Sequence, residues 1–348
     1  MKQLLELLQP TFDESLVAKV DADGSTIIIS DFEYTPAEVL KKTAEDQYQN
    51  LLGRWFYNDW LPERLEAYRV LLDIGDNKKR LSRLVEKIQK NECIPYIGSG
   101  MSAPSGLKTW ADLLRSLCPT ANIPDEVCDA HLNAAQYEAL ADLLYSRIPQ
   151  PLFDEKLENR LNVAWDDIDG AIRYSPILFQ DCPFILTSNF DDILEQLFNQ
   201  FGIVLEQPLY GRNLIEFQTR KDGGRCFVVK IHGDYRQPHT RVLLKTEYDN
   251  FYSDASCCAE LQRIFSTYSF LFLGCSLSAD RTLEILKAAA NSGARPPRHY
   301  AFLQKHDDFQ DIENRLSEHS IFPIWYEGGH DDCIQALFVG ILRDLGKI

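Results

Sequence analysis

The chain has 348 residues, of which 45% are hydrophobic, and a formal net charge of −16 at pH 7. This length and composition indicate a soluble globular protein with a sizeable core, in one large domain or two ordinary ones. The acidic balance argues against a broad nucleic-acid surface, because such binding depends on Lys and Arg neutralising phosphates.

The sequence carries no sign of export or membrane insertion. No apolar run approaches the roughly 20 residues that span a bilayer, and the amphipathic opening lacks the apolar core of a signal peptide. We therefore expect a cytoplasmic protein without membrane contacts. The nine cysteines include no Cys-x-x-Cys pair, which argues against a structural zinc site and against a disulfide framework.

Residues 1–90 are predicted to form a mainly helical segment. A short strand is expected over Thr26–Ile29, and Thr35–Pro36 is typical of a helix start. Large aromatic residues are dense over residues 55–62. This composition suits a small core, which we favour, or a surface that docks a partner.

Residues 91–348 alternate apolar, strand-like runs with helical patterns. The alternation predicts an α/β fold, in which a Rossmann-like, doubly wound parallel sheet is connected by right-handed crossovers. Mostly helical sequence over about residues 107–178 interrupts the alternation. We expect it to form a helical insert within this domain.

Four of the predicted strands end abruptly in glycines and polar residues. Because the carboxyl ends of parallel strands face the ligand crevice, these four strand tips are the candidate site. Glycines there allow backbone N–H groups to approach a phosphate. The tips are Gly98–Ser102, Thr187–Asp191, His232–Gly233 and Gly274–Ser276.

Together, the four tips resemble the sirtuin-like (silent information regulator two) superfamily over about residues 91–348. Their shared order and spacing carry the resemblance, since one motif alone would be a weak signal. The matching residues are Gly98-x-Gly100-x-Ser102, Thr187-x-Asn189-x-Asp191, His232-Gly233, and Gly274-x-Ser276 with Asp280.

The chain more closely resembles the sirtuin-like proteins of bacterial anti-phage defence. In those proteins the glycine loop runs on to a Trp, as Trp110 does here, and His-Gly precedes a segment like Val242–Leu244 with Glu247-Tyr248. Deacylases of the superfamily instead carry a Phe-Arg after the glycine loop and two zinc-binding Cys-x-x-Cys pairs, which this sequence lacks.

This resemblance implies an NAD glycohydrolase of the abortive-infection type, a toxic effector that cleaves NAD to ADP-ribose and nicotinamide. NAD is then the substrate and no zinc is expected. A homo-oligomer, or a sensor or regulatory protein from the same defence operon, would control it through residues 1–90 or the helical insert. An NAD-dependent protein deacylase and a non-catalytic module that senses NAD or ADP-ribose remain alternatives.

The resemblance also implies roles for the residues at the tips. Asn189 would hold a water or the carboxamide, Asp191 would bind the nicotinamide amide or orient the cofactor, and His232 would be the general base. The cofactor-binding candidates are Gly98, Ser99 and Gly100 at the pyrophosphate, Ser102 with its hydroxyl, Gly274 and Ser276 on the adenosine side, and Thr187, which we expect mainly to cap its turn.

Each of these residues also has a purely structural interpretation. Asn189 and Asp191 could cap a helix, a role compatible with binding, and His232 could end its strand. The glycines could merely form tight turns. Cys275 could act as a nucleophile, but a small residue beside the ribose is the preferred interpretation.

Overall fold

The chain divides into two compact units, and the first is discontinuous in sequence. One unit combines Met1–Val70 with Gln335–Ile348, and the other is Leu71–Ile334. The computed structural model describes residues 1–20, 27–29, 32–277, 281–290 and 296–348. Within these ranges, no helix combines the length and the apolar character needed to cross a membrane.

Among the described residues of Met1–Val70, helices predominate and a short antiparallel strand pair is the one non-helical element. Thr35 begins the second helix with a capping box, in which its side chain accepts from the Glu38 amide and its amide donates to the Glu38 carboxylate. Thr26, where the strand was expected to begin, lies outside the described residues. The elements are α1 Lys2–Val20, β1 Ile27–Ile29, β2 Phe32–Tyr34, α2 Pro36–Thr43, α3 Glu45–Trp55, the π-helical turn Phe56–Trp60 and α4 Leu61–Leu72.

The aromatic cluster in this unit is mostly core. Trp55, Phe56 and Trp60 are buried, and the rings of Phe56 and Trp60 stack with centroids 5.5 Å apart. Tyr57 is the exception, with 56% of its surface exposed. The core interpretation of residues 55–62 is therefore confirmed for the three buried aromatics.

The second unit contains one sheet, to which the described residues contribute seven strands, all parallel. Their order is β5-β6-β4-β3-β7-β8-β9. Apart from the short edge strand β5, this is the Rossmann order, and the winding reverses between β3 and β7. The predicted α/β class and doubly wound sheet are confirmed. The strands are β3 Cys93–Ile97, β4 Phe184–Thr187, β5 Leu209–Tyr210, β6 Phe227–Lys230, β7 Ser269–Leu273, β8 His299–Gln304 and β9 Ile321–Tyr326.

Helices connect these strands, and five of them lie between β3 and β4, where the insert was expected. Thr109 caps the first insert helix by accepting from the Asp112 amide. Apolar side chains of the insert helices form a core of their own with Phe190, Tyr235 and Leu243. The helices are α5 Asn77–Gln89, α6 Trp110–Leu117, α7 Asp125–Asn133, α8 Tyr137–Arg147, α9 Gln150–Leu161, α10 Ser175–Phe179, α11 Ile193–Gln200, α12 Phe217–Asp222, α13 Lys245–Ser253, α14 Ala255–Thr267, α15 Arg281–Ala290, α16 Phe309–Ser317 and α17 His330–Asp344.

The division between the units differs from the boundary expected at residue 90. Helix α5 belongs to the second unit, where its polar side chains bond to the backbone of β9. The Asn77 amide nitrogen donates to the Trp325 carbonyl at 2.7 Å, and the Trp325 amide donates back to Asn77 Oδ1 at 2.8 Å. Arg80 Nη1 donates to the Pro323 carbonyl in the same way. The amphipathic sequence of α5 did not distinguish these partners from those of the preceding helices.

The first unit takes its remaining residues from the C-terminal part of α17. There the Tyr68 hydroxyl donates to Asp344 Oδ2 at 2.8 Å. Gly340 lies directly against the Tyr68 ring, since a Cβ at this position would be 2.3 Å from ring carbons. The last residues of the chain are thus built into the same unit as the first seventy.

Candidate active site

The loops that follow β3 and β7 touch where the winding of the sheet reverses. The Gly98 amide donates to the Leu273 carbonyl at 2.8 Å, and the Gly100 amide donates to the Gly274 carbonyl at 3.0 Å. A Cβ on Gly98 would lie 2.6 Å from the Gly274 oxygen. The glycines therefore permit backbone contact between two strand tips. Two of the three amides expected to cradle a phosphate are used in this contact, and the phosphate role of Gly98, Ser99 and Gly100 stays a prediction.

Ser102 connects the first tip to the second. Its buried hydroxyl donates to Asp191 Oδ2 at 3.0 Å and accepts from Asn189 Nδ2 at 3.0 Å. These side chains lie close together because β3 and β4 are adjacent and end in register, with Ile97 paired to Thr187. Three residues selected from the sequence thus form one hydrogen-bonded group, which we call the Ser102 cluster: Ser102, Asn189 and Asp191.

Thr187 is part of the turn beneath the Ser102 cluster. Its buried hydroxyl donates to the Ile97 carbonyl at 2.8 Å and accepts from the Asn189 amide at 3.0 Å. Both contacts are internal, and the hydroxyl proton is already donated. These contacts agree with the expected role of Thr187 in the turn, and its cofactor contact stays a prediction.

Asp191 serves its own helix as well as the Ser102 cluster. Its Oδ1 accepts from the Ile193 amide at 3.2 Å where α11 begins, so capping and cluster formation occur together. Burial raises the pKa of this carboxyl above its ordinary value, while the Lys230 charge and the Ser102 bond oppose the shift. Asn189, in contrast, directs its amide nitrogen to Ser102 rather than to the helix.

Lys230, the last residue of β6, is a further component of the site that the sequence analysis missed. Its side chain is completely buried, and Nζ donates to the Asp191 carbonyl and to Asp234 Oδ2, both at 2.6 Å. Glu195 Oε1 lies 3.1 Å from the same nitrogen. The available signal was a single charged residue in the apolar run Cys226–Ile231, because a buried lysine in a strand requires charged or polar partners.

His232 is buried at the tip of β6, two residues after the strand ends at Lys230. Its Nε2 lies 3.1 Å from the Tyr252 hydroxyl, which in turn lies 3.2 Å from Thr282 Oγ1. Gly233 follows with φ +86°, and a Cβ there would lie 2.3 Å from the Thr240 oxygen, so the turn requires glycine. The described hydrogen bond of His232 thus leads to α13 and α15, whereas Asn189 on the neighbouring strand bonds to Ser102.

Two tyrosines and an arginine form a layer beside His232. The Tyr248 and His232 rings meet edge to face at 5.0 Å, and the Tyr248 and Tyr252 rings are parallel with centroids 6.1 Å apart. The Arg281 guanidinium lies over both tyrosines, 5.5 and 5.8 Å from their centroids. It also pairs with Asp249 of α13 at 2.9 Å and with Glu138 of the helical insert.

At the β7 tip, the structure describes the packing of Cys275 but does not include the candidate residue Asp280. The Cys275 thiol donates to the Leu273 carbonyl at 3.5 Å and lies close to Gly98. Ser276 is exposed, and its adenosine contact stays a prediction. Asp280 lies outside the described residues. Among the residues that are described, no group of three or more His, Cys, Asp or Glu side chains is arranged to hold a metal ion.

Comparison with known families matches the part of the chain that contains most of the candidate site residues. Residues 183–324 match the model of the SIR2-like domain family. This part of the chain is similar to SIR2-like domains. The matched range includes Asn189, Asp191 and His232, so the resemblance predicted from the strand tips is confirmed. The Gly98–Ser102 loop lies outside this range and joins the SIR2-like domain through the contacts with Gly274 and Asn189.

Three curated proteins similar to the chain share the name NAD(+) hydrolase ThsA. The protein from Acinetobacter baumannii is 26% identical over 204 residues, which cover 58% of this chain and 40% of that protein. The proteins from Enterococcus faecium and Bacillus cereus are 23% and 22% identical over 250 and 245 residues, covering 69% and 68% of this chain and 49% of each relative. The chain spans less than half the length of these relatives.

Proposed function

We propose that the chain is an NAD hydrolase that breaks the bond between nicotinamide and ribose, releasing nicotinamide and ADP-ribose. The observation that carries the proposal is the Ser102 cluster, which joins the tips of β3 and β4 beside the strand that ends at His232. Asn189, Asp191 and His232 lie in the range that matches the SIR2-like domain family. The names of the three ThsA relatives support NAD hydrolysis.

The residues of the site suit this reaction. Nicotinamide leaves as a neutral molecule from an oxocarbenium-like centre, so the site needs positioning and a base rather than a strong acid. Asn189, oriented by Ser102, would hold the attacking water or the carboxamide. His232 would accept the proton of that water, since an imidazole nitrogen can serve as a general base.

The charges around the site also favour this substrate. Three carboxylates, those of Asp192, Glu195 and Asp234, pair with the two cations Lys230 and Arg236. The Asp191 carboxyl is a fourth acidic group close enough to feel the Lys230 charge. The nicotinamide ring of NAD is positively charged before cleavage, and the ribose centre becomes positive during it. An acidic surrounding stabilises both charges.

We further propose that the chain is a toxic effector of bacterial anti-phage defence whose activity depletes cellular NAD. A protein of this kind must stay inactive until it is triggered. A second copy of the chain, or a regulatory protein from the same operon, would supply the trigger through residues 1–90 or the helical insert. The resemblance to sirtuin-like defence proteins and the similarity to ThsA support this role.

The decisive experiment measures nicotinamide release from NAD by the wild type, with and without the proteins encoded beside it. Asn189→Ala and His232→Ala are expected to lower the rate at least about 100-fold, a common contribution of one catalytic group. Asn199→Ala and His239→Ala remove exposed side chains of the same types and are the matched controls.

The products separate hydrolysis from the two alternatives. A deacylase would form acetylated ADP-ribose from an acetyl-peptide, and a sensing module would bind NAD without releasing nicotinamide. No nicotinamide from the wild type under either condition would contradict the proposed hydrolase.

A further inference from the structure

We propose that Tyr252 is a positioning residue that fixes the ring orientation and the tautomer of His232. The catalytic consequence of this inference rests on the proposed function, in which His232 is the general base. The hydroxyl of Tyr252 does not need to touch NAD. It acts through the imidazole, whose Nε2 lies 3.1 Å away.

The position of the Tyr252 hydroxyl is determined from both sides. It lies between His232 Nε2 and Thr282 Oγ1, with the second distance 3.2 Å. Thr282 is buried in the first turn of α15, and His232 is buried at the tip of β6. The three side chains therefore form a hydrogen-bonded chain between elements that are far apart in sequence.

The Tyr252 ring is held as firmly as its hydroxyl. It stacks parallel to Tyr248 and meets Phe251 nearly at right angles, with centroids 4.8 Å apart. Arg281 covers both tyrosine rings and pairs with Asp249 on the same helix. These contacts restrict the rotation of Tyr252, so its hydroxyl can orient a partner without losing much side-chain entropy itself.

Either hydroxyl can donate in the bond between Tyr252 and Thr282, so the hydrogen-bonded chain has two possible proton directions. A neutral imidazole has one N–H and one lone pair, and a phenol has one proton to donate. When Tyr252 donates to Thr282, it accepts from Nε2–H of His232, and the lone pair is then on Nδ1. A general base needs that lone pair, and we infer that Tyr252 selects the tautomer with the proton on Nε2.

Nuclear magnetic resonance of the full chain tests the link without relying on activity. With ¹⁵N-labelled histidine, the ring nitrogens of the seven histidines are observed, and His232→Ala identifies the signals of His232. We expect the Nε2–H tautomer in the wild type and in Tyr248→Phe, which removes a hydroxyl outside the hydrogen-bonded chain. Tyr252→Phe is expected to give a mixture of tautomers.

A second variant tests the direction of the chain. Thr282→Val removes the acceptor of the Tyr252 proton, which can then be donated to Nε2, and the His232 signals should shift toward the Nδ1–H tautomer. Wild-type tautomer signals in Tyr252→Phe would overturn the positioning role. Wild-type signals in Thr282→Val would overturn the inferred direction.

Nicotinamide release supplies the catalytic test. Tyr252→Phe should lower kcat about 10-fold or more with KM within twofold, and the loss in Tyr248→Phe should be smaller. Because Tyr252 acts through His232, the double variant Tyr252→Phe/His232→Ala should be no slower than His232→Ala alone. Additive losses would contradict the inference. A wild type that releases no nicotinamide would contradict the proposed function, while the tautomer signals would still decide the role of Tyr252.

Discussion

The Asn189 amide nitrogen donates to the Ser102 hydroxyl at 3.0 Å across 87 positions of sequence. The same hydroxyl donates to Asp191 Oδ2 at 3.0 Å, so one serine orients both polar groups at the tip of β4. Ser102 lies outside the range that matches the SIR2-like model. The candidate site therefore depends on a residue that the family match does not include.

Ser102→Ala is expected to lower kcat/KM for NAD cleavage at least about 10-fold, since Asn189 loses the group that orients it; a factor of 10 corresponds to about 1.4 kcal/mol. The free energy of unfolding should fall by about 1–3 kcal/mol, because two buried polar side chains lose a partner. Steady-state kinetics and urea unfolding measure the two effects. Ser105→Ala removes a hydroxyl bonded to the Asp169 backbone instead, and it should lower stability without a comparable loss of activity. Equal activities of the two variants would contradict the role of Ser102.

Gly98→Ala is expected to destabilise the protein by about 1–3 kcal/mol, the usual cost of overpacking. The new Cβ would lie 2.6 Å from both the Gly274 oxygen and the Cys275 sulfur, and the backbone oxygen has little freedom to move. Gly53→Ala makes the same change in α3, where no atom lies within 4 Å, and should stabilise by up to about 1 kcal/mol. Urea unfolding of both variants provides the comparison. Two shifts of the same sign would show that the contact between the loops is unimportant.

Lys230→Met is expected to lower the free energy of unfolding by about 3–5 kcal/mol, because it leaves buried carboxylates without their cation. Lys245→Met is a close control. Lys245 also pairs with an Asp four residues later, at 2.7 Å, but both side chains are about half exposed, and solvent screens such a pair. We expect little change in that variant. Chemical denaturation measures the free energy of unfolding of both variants, and similar losses in the two would contradict the role of Lys230.

Glu195→Gln should change how stability depends on pH. Burial raises the pKa of Glu195 above its ordinary value, although Lys230 opposes the shift. Between the two pKa values the folded state binds more protons than the unfolded state, so wild-type stability falls as pH rises through this window. The stability of the variant does not fall in this way, because glutamine does not titrate. Its stability relative to wild type should therefore increase from about pH 4 upward and level off above the raised pKa.

Glu318→Gln should change the pH dependence of stability in the opposite direction to Glu195→Gln. Its hydrogen bond with Lys287 lowers the pKa of Glu318, so the wild-type carboxylate stabilises the fold above its ordinary pKa and loses this effect as pH falls. Relative to wild type, the variant should become less stable as pH rises. Unfolding free energies measured from about pH 3 to about pH 7 give both curves, because the Glu318 effect lies at and below the ordinary pKa of a carboxyl group. Curves of the same slope would refute the assignment.

The sequence was sufficient to predict the sheet and to select the three members of the Ser102 cluster as site residues, although not the bonds between them, for one physical reason. Apolar runs that end in glycine or polar residues locate strand tips, and parallel pairing brings Ser102, Asn189 and Asp191 to one edge. It did not reveal Lys230 or Tyr252. Which carboxylates surround a strand lysine, and which helix covers a strand tip, depend on tertiary packing that no periodicity records. The sequence also left two roles open for Thr187, because a turn hydroxyl and a ligand hydroxyl have the same sequence signature.

The bond between Tyr68 and Asp344 closes the first unit across nearly the whole chain. The N-terminal and C-terminal segments should therefore fold and unfold together, as parts of one unit. A truncated chain beginning after residue 70 would lose the ring against which Gly340 packs, and a truncation before Gln335 would remove the other half of the same unit. Proteolysis at one end should consequently loosen the other. Release of the Leu71–Ile334 unit requires two cuts, because both of its ends continue into residues of the first unit.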